Sequence, residues 1–209
     1  MASSRLCVRT DETSCLEARK PATKQPLTPI EKRAHVTLLI QAGADTTATS
    51  LGSTLRFLLL NPETLAKARR EIDTADDLGK LSSPIAYEES RTLLPYTGAS
   101  IKEALRLHPP ATNLFARVVP AGGKTICGVH VPGGTEVTSH AYVVQRDPRL
   151  YRPDPEVFRP ERWIDATPEV LSEMEASSFA FGMGPRVCLG KDIAVMELWK
   201  LVPEVSFQR

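Results

Sequence analysis

The longest run of hydrophobic and small polar positions in the chain predicts one long helix that begins near residue 28. Thr28 can act as the N-cap, Pro29 suits the first helical position, and Glu31 can reach back to complete a capping box. No further proline occurs until Asn61-Pro62. The helix would therefore contain about 32 residues and be roughly 48 Å long, at 1.5 Å per residue.

The central part of this helix, from Val36 to Leu55, carries a single charged residue, Asp45. It also contains many serine and threonine residues, so it is too polar for a helix that spans a membrane. A helix with almost no charge on any face is instead typical of a helix enclosed within a protein. We therefore expect a buried central helix and no membrane span in this chain.

The remaining pattern predicts shorter helices and a few short strands. Asn61-Pro62-Glu63 starts a second helix that reaches about Thr74. His108-Pro109-Pro110 ends a third helix, and a last helix stops before Pro203. The third helix is predicted at 96–107, the last at 189–201, and the strands at 125–127, 129–131 and 136–138, between glycine-containing turns. This content predicts a mainly α protein with small β-sheets, an α+β arrangement.

Composition places the chain among ordinary globular proteins. Hydrophobic residues make up 42% and charged residues 24% of its 209 residues, which excludes a disordered chain. Its 26 basic and 25 acidic residues give a net charge of +1, so nothing favours a nucleic-acid partner. We expect residues 1–25 to be a poorly ordered lead-in and residues 26–209 to form one domain. The four cysteines contain no Cys-x-x-Cys pair, which argues against a zinc site.

The most informative stretch is Phe181–Gly190, which places Cys188 in a glycine-rich loop just before a helix. Backbone N–H groups at a helix start favour the cysteine anion, and such a thiolate is a good axial ligand for haem iron. Glycines let the backbone approach a flat macrocycle closely. Arg186 could pair with a haem propionate. The alternative is an inert, buried cysteine.

The sequence here resembles the cytochrome P-450 family of haem-thiolate monooxygenases. The family's cysteine signature is Phe-x-x-Gly-x-Arg-x-Cys-x-Gly, which Phe181, Gly184, Arg186, Cys188 and Gly190 match. The resemblance implies haem b bound through Cys188 as the iron ligand, with Phe181, Arg186 and Gly190 beside the cofactor. It also implies that the chain is the C-terminal, haem-binding part of the fold, truncated at both ends.

A second family motif, Glu-x-x-Arg, resembles Glu103-Ala104-Leu105-Arg106. Spacing of three places both side chains on one helix face, where they can pair. Spacing alone does not select this match, because Glu88-x-x-Arg91 and Glu156-x-x-Arg159 fit the same pattern. The resemblance selects Glu103 and Arg106 by their helix and by the Leu107-His108-Pro109-Pro110 that follows. It also adds Arg162, giving a buried charge triad whose role is structural.

Two further sites follow from the resemblance. Asp45 and Thr46 look like the acid and alcohol of the family's oxygen-activation segment, which deliver protons through water. Arg117 lies where family members place an Arg or His that binds a haem propionate, and 111–115 would line the substrate side. An unremarkable helix segment and an exposed surface arginine are the respective alternatives.

The resemblance implies a monooxygenase that inserts one atom of O2 into a small organic substrate, in the style of fungal secondary-metabolism members. Electrons would come from NADPH through a cytochrome reductase. Two alternatives stay open: a truncated, inactive haem-binding or interaction fragment, and a haem-thiolate enzyme that rearranges peroxides. Asp45 and Thr46 argue against the last. A full-length relative would be anchored at the endoplasmic reticulum membrane.

Overall fold

The computed structural model describes residues 19–20, 22–112 and 115–206. Most of the predicted lead-in and two residues of the predicted substrate-lining segment 111–115 therefore lie outside the described residues. The chain divides into two compact units, Met1–Asp45 and Thr46–Arg209, and each is described by itself. No helix in the described part of the chain is long and apolar enough to cross a membrane.

The described residues are mainly α-helical, with two small antiparallel sheets, in which Arg117–Val118 pairs with Glu136–Val137 and Lys124–Ile126 pairs with Val129–Val131. The predicted fold class is confirmed. The elements in chain order are α1 Pro29–Leu60, α2 Pro62–Asp77, α3 Tyr87–Leu93, α4 Pro95–Leu107, β1 Arg117–Val118, β2 Lys124–Ile126, β3 Val129–Val131, β4 Glu136–Val137, α5 Ala141–Val144, α6 Glu161–Ile164, α7 Pro168–Ala176, a 3-10 turn Gly184–Arg186, and α8 Lys191–Ser206.

Helix α1 begins as predicted, because Thr28 and Glu31 form a reciprocal capping box. The Thr28 amide donates to Glu31 Oε2 at 2.9 Å, and the Glu31 amide donates to Thr28 Oγ1 at 3.3 Å. The expected burial on all sides is wrong for the first half of the helix, where 38–40 are 61–65% exposed. A low charge density permits burial, but burial also needs packing partners, and these side chains have too few within their own unit.

The second half of α1 packs closely because its buried residues are small. Ser50, Ser53, Thr54 and Leu58 are its buried positions. Each hydroxyl is satisfied within the helix: Ser50 Oγ donates to the Thr46 carbonyl at 2.8 Å, and Thr54 Oγ1 donates to the Ser50 carbonyl at 2.8 Å. These polar side chains can therefore be buried without leaving a donor unpaired.

The main core of the second unit joins α1, α4 and α8 to the segment that precedes the cysteine loop. Its buried members are Leu58, Ile101, Leu105, Ala180, Leu198, Trp199 and Val202, and Phe181 packs against them. Helices α4 and α8 approach closely at Gly98, where an added Cβ would lie 3.2 Å from Trp199 Nε1. Gly98 therefore permits the contact that fixes α8 against α4.

Several elements were not predicted, for identifiable physical reasons. Helices α5 and α6 have four residues each, too few to show a period, and β1 has only two. Helix α8 continues to Ser206 with Pro203 inside it, although the sequence predicted an end before that proline. The proline removes one N–H donor from the helix, but Val202, Pro203 and Ser206 are all buried, so tertiary packing surrounds this last turn.

Replacing Gly98 by valine should destabilise the second unit by about 1–3 kcal/mol, because the branched side chain cannot fit against Trp199 without displacing it. The matched control is Gly52→Val, in the middle of α1, where nothing lies within 4 Å of an added Cβ. Urea unfolding followed by circular dichroism measures both variants. Equal effects of the two substitutions would contradict the proposed close packing of α4 on α8.

Candidate functional site

The carboxylate of Glu103 in α4 is fully buried and accepts five hydrogen bonds. Its Oε1 accepts from Arg106 Nη2 at 2.8 Å, Arg162 Nε at 2.8 Å and the Arg159 amide at 3.0 Å. Its Oε2 accepts from Arg106 Nε at 2.8 Å and from the indole Nε1 of Trp163 at 2.9 Å. The structure thus brings together all three residues of the expected triad and adds two donors to them.

The two arginines of this network also donate hydrogen bonds to backbone carbonyls that lie outside helices and strands. Arg106 Nη1 donates to the carbonyls of Gln145 at 2.8 Å and Pro155 at 2.6 Å. Arg162 Nη1 donates to the Tyr151 carbonyl at 2.8 Å. Residues 147–160 contain no helix or strand. Guanidinium groups therefore satisfy carbonyls that a regular element would otherwise have paired.

Burial and the neighbouring positive charges have opposite effects on the pKa of Glu103. Burial would raise the pKa of this carboxyl, but the hydrogen bonds and positive charges of Arg106 and Arg162 outweigh it and hold the pKa below the ordinary value. Glu103 therefore stays ionised. A buried carboxylate of this kind is tolerable only while its donors are present, so the network fixes geometry more than it adds stability.

The structure distinguishes the three Glu-x-x-Arg matches. Glu88 and Arg91 pair at 2.9 Å with side chains 68% and 55% exposed. Glu156 pairs with Arg146 at 2.7 Å instead of with Arg159. Among these matches, Glu103 and Arg106 alone form a pair that is almost completely buried.

The Cys188 loop is closed by a backbone hydrogen bond and shaped by two glycines. The Cys188 amide donates to the Phe181 carbonyl at 2.8 Å. Gly182 has φ +69° and Gly184 has φ +67°, values that favour glycine. Cys188 is exposed and forms no disulfide. Arg186 is exposed in the adjoining 3-10 turn.

The loop is anchored at both of its ends. The side chain of Phe181 packs on the core of α1, α4 and α8. On the other side, the Gly190 carbonyl accepts from the Ala194 amide at 2.9 Å in the first turn of α8. Nothing lies within 4 Å of a Cβ added at Gly190. Cys188 is therefore presented at the surface by a fixed backbone with open space beside it.

The other predicted site residues lie on α1 and β1. Asp45 is exposed and Thr46 is half-buried in α1, where the helix is unbroken. Arg117 is exposed in β1, and its Nη1 donates to the carbonyls of Phe115 at 3.1 Å and Ala116 at 3.0 Å. Their roles toward a cofactor remain predictions.

Trp163 was not predicted from the sequence as a member of the Glu103 network. A signal for it was present, because an indole N–H needs an acceptor when the ring is buried and Trp163 directly follows Arg162. Gln145 was not predicted either, and the sequence holds no such signal for it.

Comparison with known proteins accounts for this arrangement. The sequence model of the cytochrome P450 family matches residues 9–205. The chain belongs to the cytochrome P450 family. It is 42% identical over 90% of its length to a cytochrome P450 monooxygenase of Aspergillus terreus. It is 40% identical over 87% of its length to a pisatin demethylase of Fusarium vanettenii and 38% identical over 90% to the cytochrome P450 monooxygenase mpaDE of Penicillium brevicompactum.

This P450 chain spans only part of the length of these relatives. The matched regions cover 37% of the Aspergillus protein, 34% of the Fusarium protein and 22% of the Penicillium protein. The match therefore establishes the family of this chain, and not the activity, substrate or partners of a whole relative.

Membership of the P450 family implies haem as the cofactor, and the Cys188 loop of this chain fits that group. An exposed free cysteine supplies a soft sulfur donor, and no atom lies within 4 Å of a Cβ added at Gly190, so no side chain blocks that position of the loop. Arg186 adds a nearby exposed cation suited to a carboxylate. Cys188 would hold the iron, and Arg186 would hold a propionate.

The substitution Glu103→Gln should destabilise this P450 chain by about 3–5 kcal/mol, because it leaves two buried guanidinium groups without their anion. The change keeps the side-chain volume, so packing is preserved. Glu88→Gln is the matched control, since it breaks an exposed pair with the same spacing and should cost less than about 1 kcal/mol. Urea unfolding compares the two variants. A loss at Glu103 as small as that at Glu88 would contradict the proposed role of the buried carboxylate.

Proposed function

We propose that this chain is the haem-binding part of a haem-thiolate monooxygenase that inserts one atom of O2 into a small organic substrate. The observation that carries the proposal is the exposed Cys188 at the end of a loop that Gly182 and Gly184 shape. In a P450, a thiolate-ligated haem supplies the electron density that favours cleavage of the O–O bond. We propose that residues 26–209 form the domain that binds the haem.

In this proposal, the chain's residues hold the cofactor from the cysteine side. Cys188 provides the sulfur ligand, and the hydrogen bond from its amide to Phe181 fixes where that sulfur lies. The Phe181 side chain packs against the core and anchors the start of the loop. Arg186 and Arg117 each bind a propionate, for which Arg117 must release its present carbonyl partners.

We assign proton delivery to Asp45 and Thr46. Their adjacency on α1 pairs an acid with an alcohol, which suits the transfer of protons through ordered water. Thr46 is half-buried and offers a hydroxyl at Oγ1, and the Asp45 carboxylate beside it in the sequence is exposed.

The substrate class is a small organic molecule of fungal secondary metabolism, and the electrons come from NADPH through a reductase. The family membership and the fungal relatives, one of which is named as a pisatin demethylase, support this assignment. A second candidate is haem binding without turnover. It is favoured by the exposure of Cys188 and of its neighbour Leu189, which is 79% exposed, because a cofactor at an open surface is not shielded from water.

The carbon-monoxide difference spectrum of the reduced, haem-loaded chain tests the proposal. We expect the red-shifted band of thiolate-ligated ferrous haem in the unaltered chain and its loss in Cys188→Ser. Cys127→Ser is the matched control, because Cys127 is likewise an exposed free cysteine, and its band should be unchanged.

A band that survives in Cys188→Ser, or a chain that binds no haem, would refute the proposal. If the band appears, an NADPH and reductase assay with a substrate panel separates the two candidates. Turnover supports the monooxygenase, and haem binding without turnover supports the second candidate.

A further inference from the structure

Gln145 follows α5 and is 1% exposed. Its hydrogen bonds join the Glu103 network to the segment that leads into the cysteine loop. Its backbone carbonyl accepts from Arg106 Nη1 at 2.8 Å. Its side-chain amide makes three further hydrogen bonds, two as donor and one as acceptor. A fully buried amide with partners on both of its ends is held in one orientation.

On the donor side, Gln145 closes the end of α4. The last carbonyls of a helix have no partner within it. Gln145 Nε2 donates to the carbonyls of Leu105 at 3.2 Å and Arg106 at 2.9 Å. The next residue, Arg146, donates from Nη2 to the Leu107 carbonyl at 2.7 Å. Neighbouring side chains therefore cap the helix that carries Glu103, but only one of them continues toward the loop.

The oxygen of the Gln145 side chain accepts a hydrogen bond from the segment just before the cysteine loop. Gln145 Oε1 accepts from the Phe179 amide at 2.8 Å. The Phe179 carbonyl accepts from the Gly182 amide at 3.0 Å, and the Phe181 carbonyl accepts from the Cys188 amide at 2.8 Å. These successive backbone bonds connect the Gln145 side chain to the backbone of Cys188.

We propose that Gln145 is a positioning residue that sets the place of the Cys188 loop relative to the buried Glu103 network. The inference rests on the proposed function only in its last step, where the loop holds haem. Its first step, that Gln145 fixes the start of the loop through Phe179, concerns the chain's own residues and can be tested without the cofactor.

The chemistry of the site explains why an amide serves here. Two carbonyls and one N–H converge on the side chain, so it must donate at one end and accept at the other. Methionine has a similar length but offers neither group, and would leave three buried backbone groups unpaired. A protonated glutamate can still donate once and accept from Phe179, so Gln145→Glu is the conservative variant.

Amide hydrogen exchange of the chain without haem tests the first step. In Gln145→Met we expect the Phe179 amide to exchange about tenfold faster relative to the Ile101 amide of the α4 core, which corrects for global destabilisation. Gln145→Glu should restore most of the protection. Arg146→Gln is the matched control, because Arg146 also caps α4 but has no hydrogen bond to 179–190 in the described part of the chain.

An unchanged ratio in Gln145→Met, or the same change in Arg146→Gln, would overturn the inference. If Gln145→Met does not fold, the unaltered chain decides. A Phe179 amide that exchanges as fast as that of the exposed Gly184 contradicts the proposal, and one protected like the core supports it.

The haem-loaded chain then tests the last step. Relative to total bound haem, the thiolate band should fall in Gln145→Met and stay unchanged in Arg146→Gln, whereas an equal loss in both would overturn the positioning role. If the unaltered chain binds no haem, the proposed function fails, and the exchange ratios still decide the step from Gln145 to Phe179.

Discussion

The buried carboxylate of Glu103 is the constraint on which the second unit depends. An ion at such depth persists only if its donors stay in place, and all five belong to α4 or to residues 159–163. Removing any one leaves either a charge or a polar group without a partner. The requirement is therefore geometric: α4 and α6 must keep their positions for the carboxylate to be satisfied.

The same constraint organises the chain between these elements. Residues 147–160 have no ladder of hydrogen bonds, and the guanidinium groups of Arg106 and Arg162 serve their carbonyls instead. This segment can therefore be irregular and still ordered. Gln145 precedes this segment, and its side chain accepts a hydrogen bond from the amide of Phe179, which lies just before the cysteine loop. The Glu103 network contains no group that we assign to the reaction, but these hydrogen bonds connect it to the backbone of Cys188, which we assign to haem.

Much of this fold follows from local sequence rules. The start of α1 was readable because Thr28, Pro29 and Glu31 form a capping box, and the end of α4 because His108 precedes two prolines. The cysteine loop was readable because its glycines and Cys188 stand at fixed spacings. Helices α5 and α6 were not readable, because four-residue elements are set by tertiary contacts rather than by a hydrophobic period.

The candidate site likewise contains some residues that the sequence could predict and others that it could not. Spacing offered three Glu-x-x-Arg pairs and could not choose among them, because burial depends on what packs over a helix face. Trp163 could have been inferred from the need of a buried indole for an acceptor. Gln145 could not, since its partners lie 34–40 residues away in sequence and are backbone groups. Long-range contacts of side chains with backbone leave no pattern in the sequence.

The proposed function depends on a bond between the Cys188 sulfur and haem iron. Iron-edge X-ray absorption of the haem-loaded chain tests that bond, because it identifies the atoms bound to iron without reference to activity. We expect one sulfur neighbour of iron in the unaltered chain and none in Cys188→Ser. An iron surrounded only by nitrogen and oxygen atoms in the unaltered chain would contradict it.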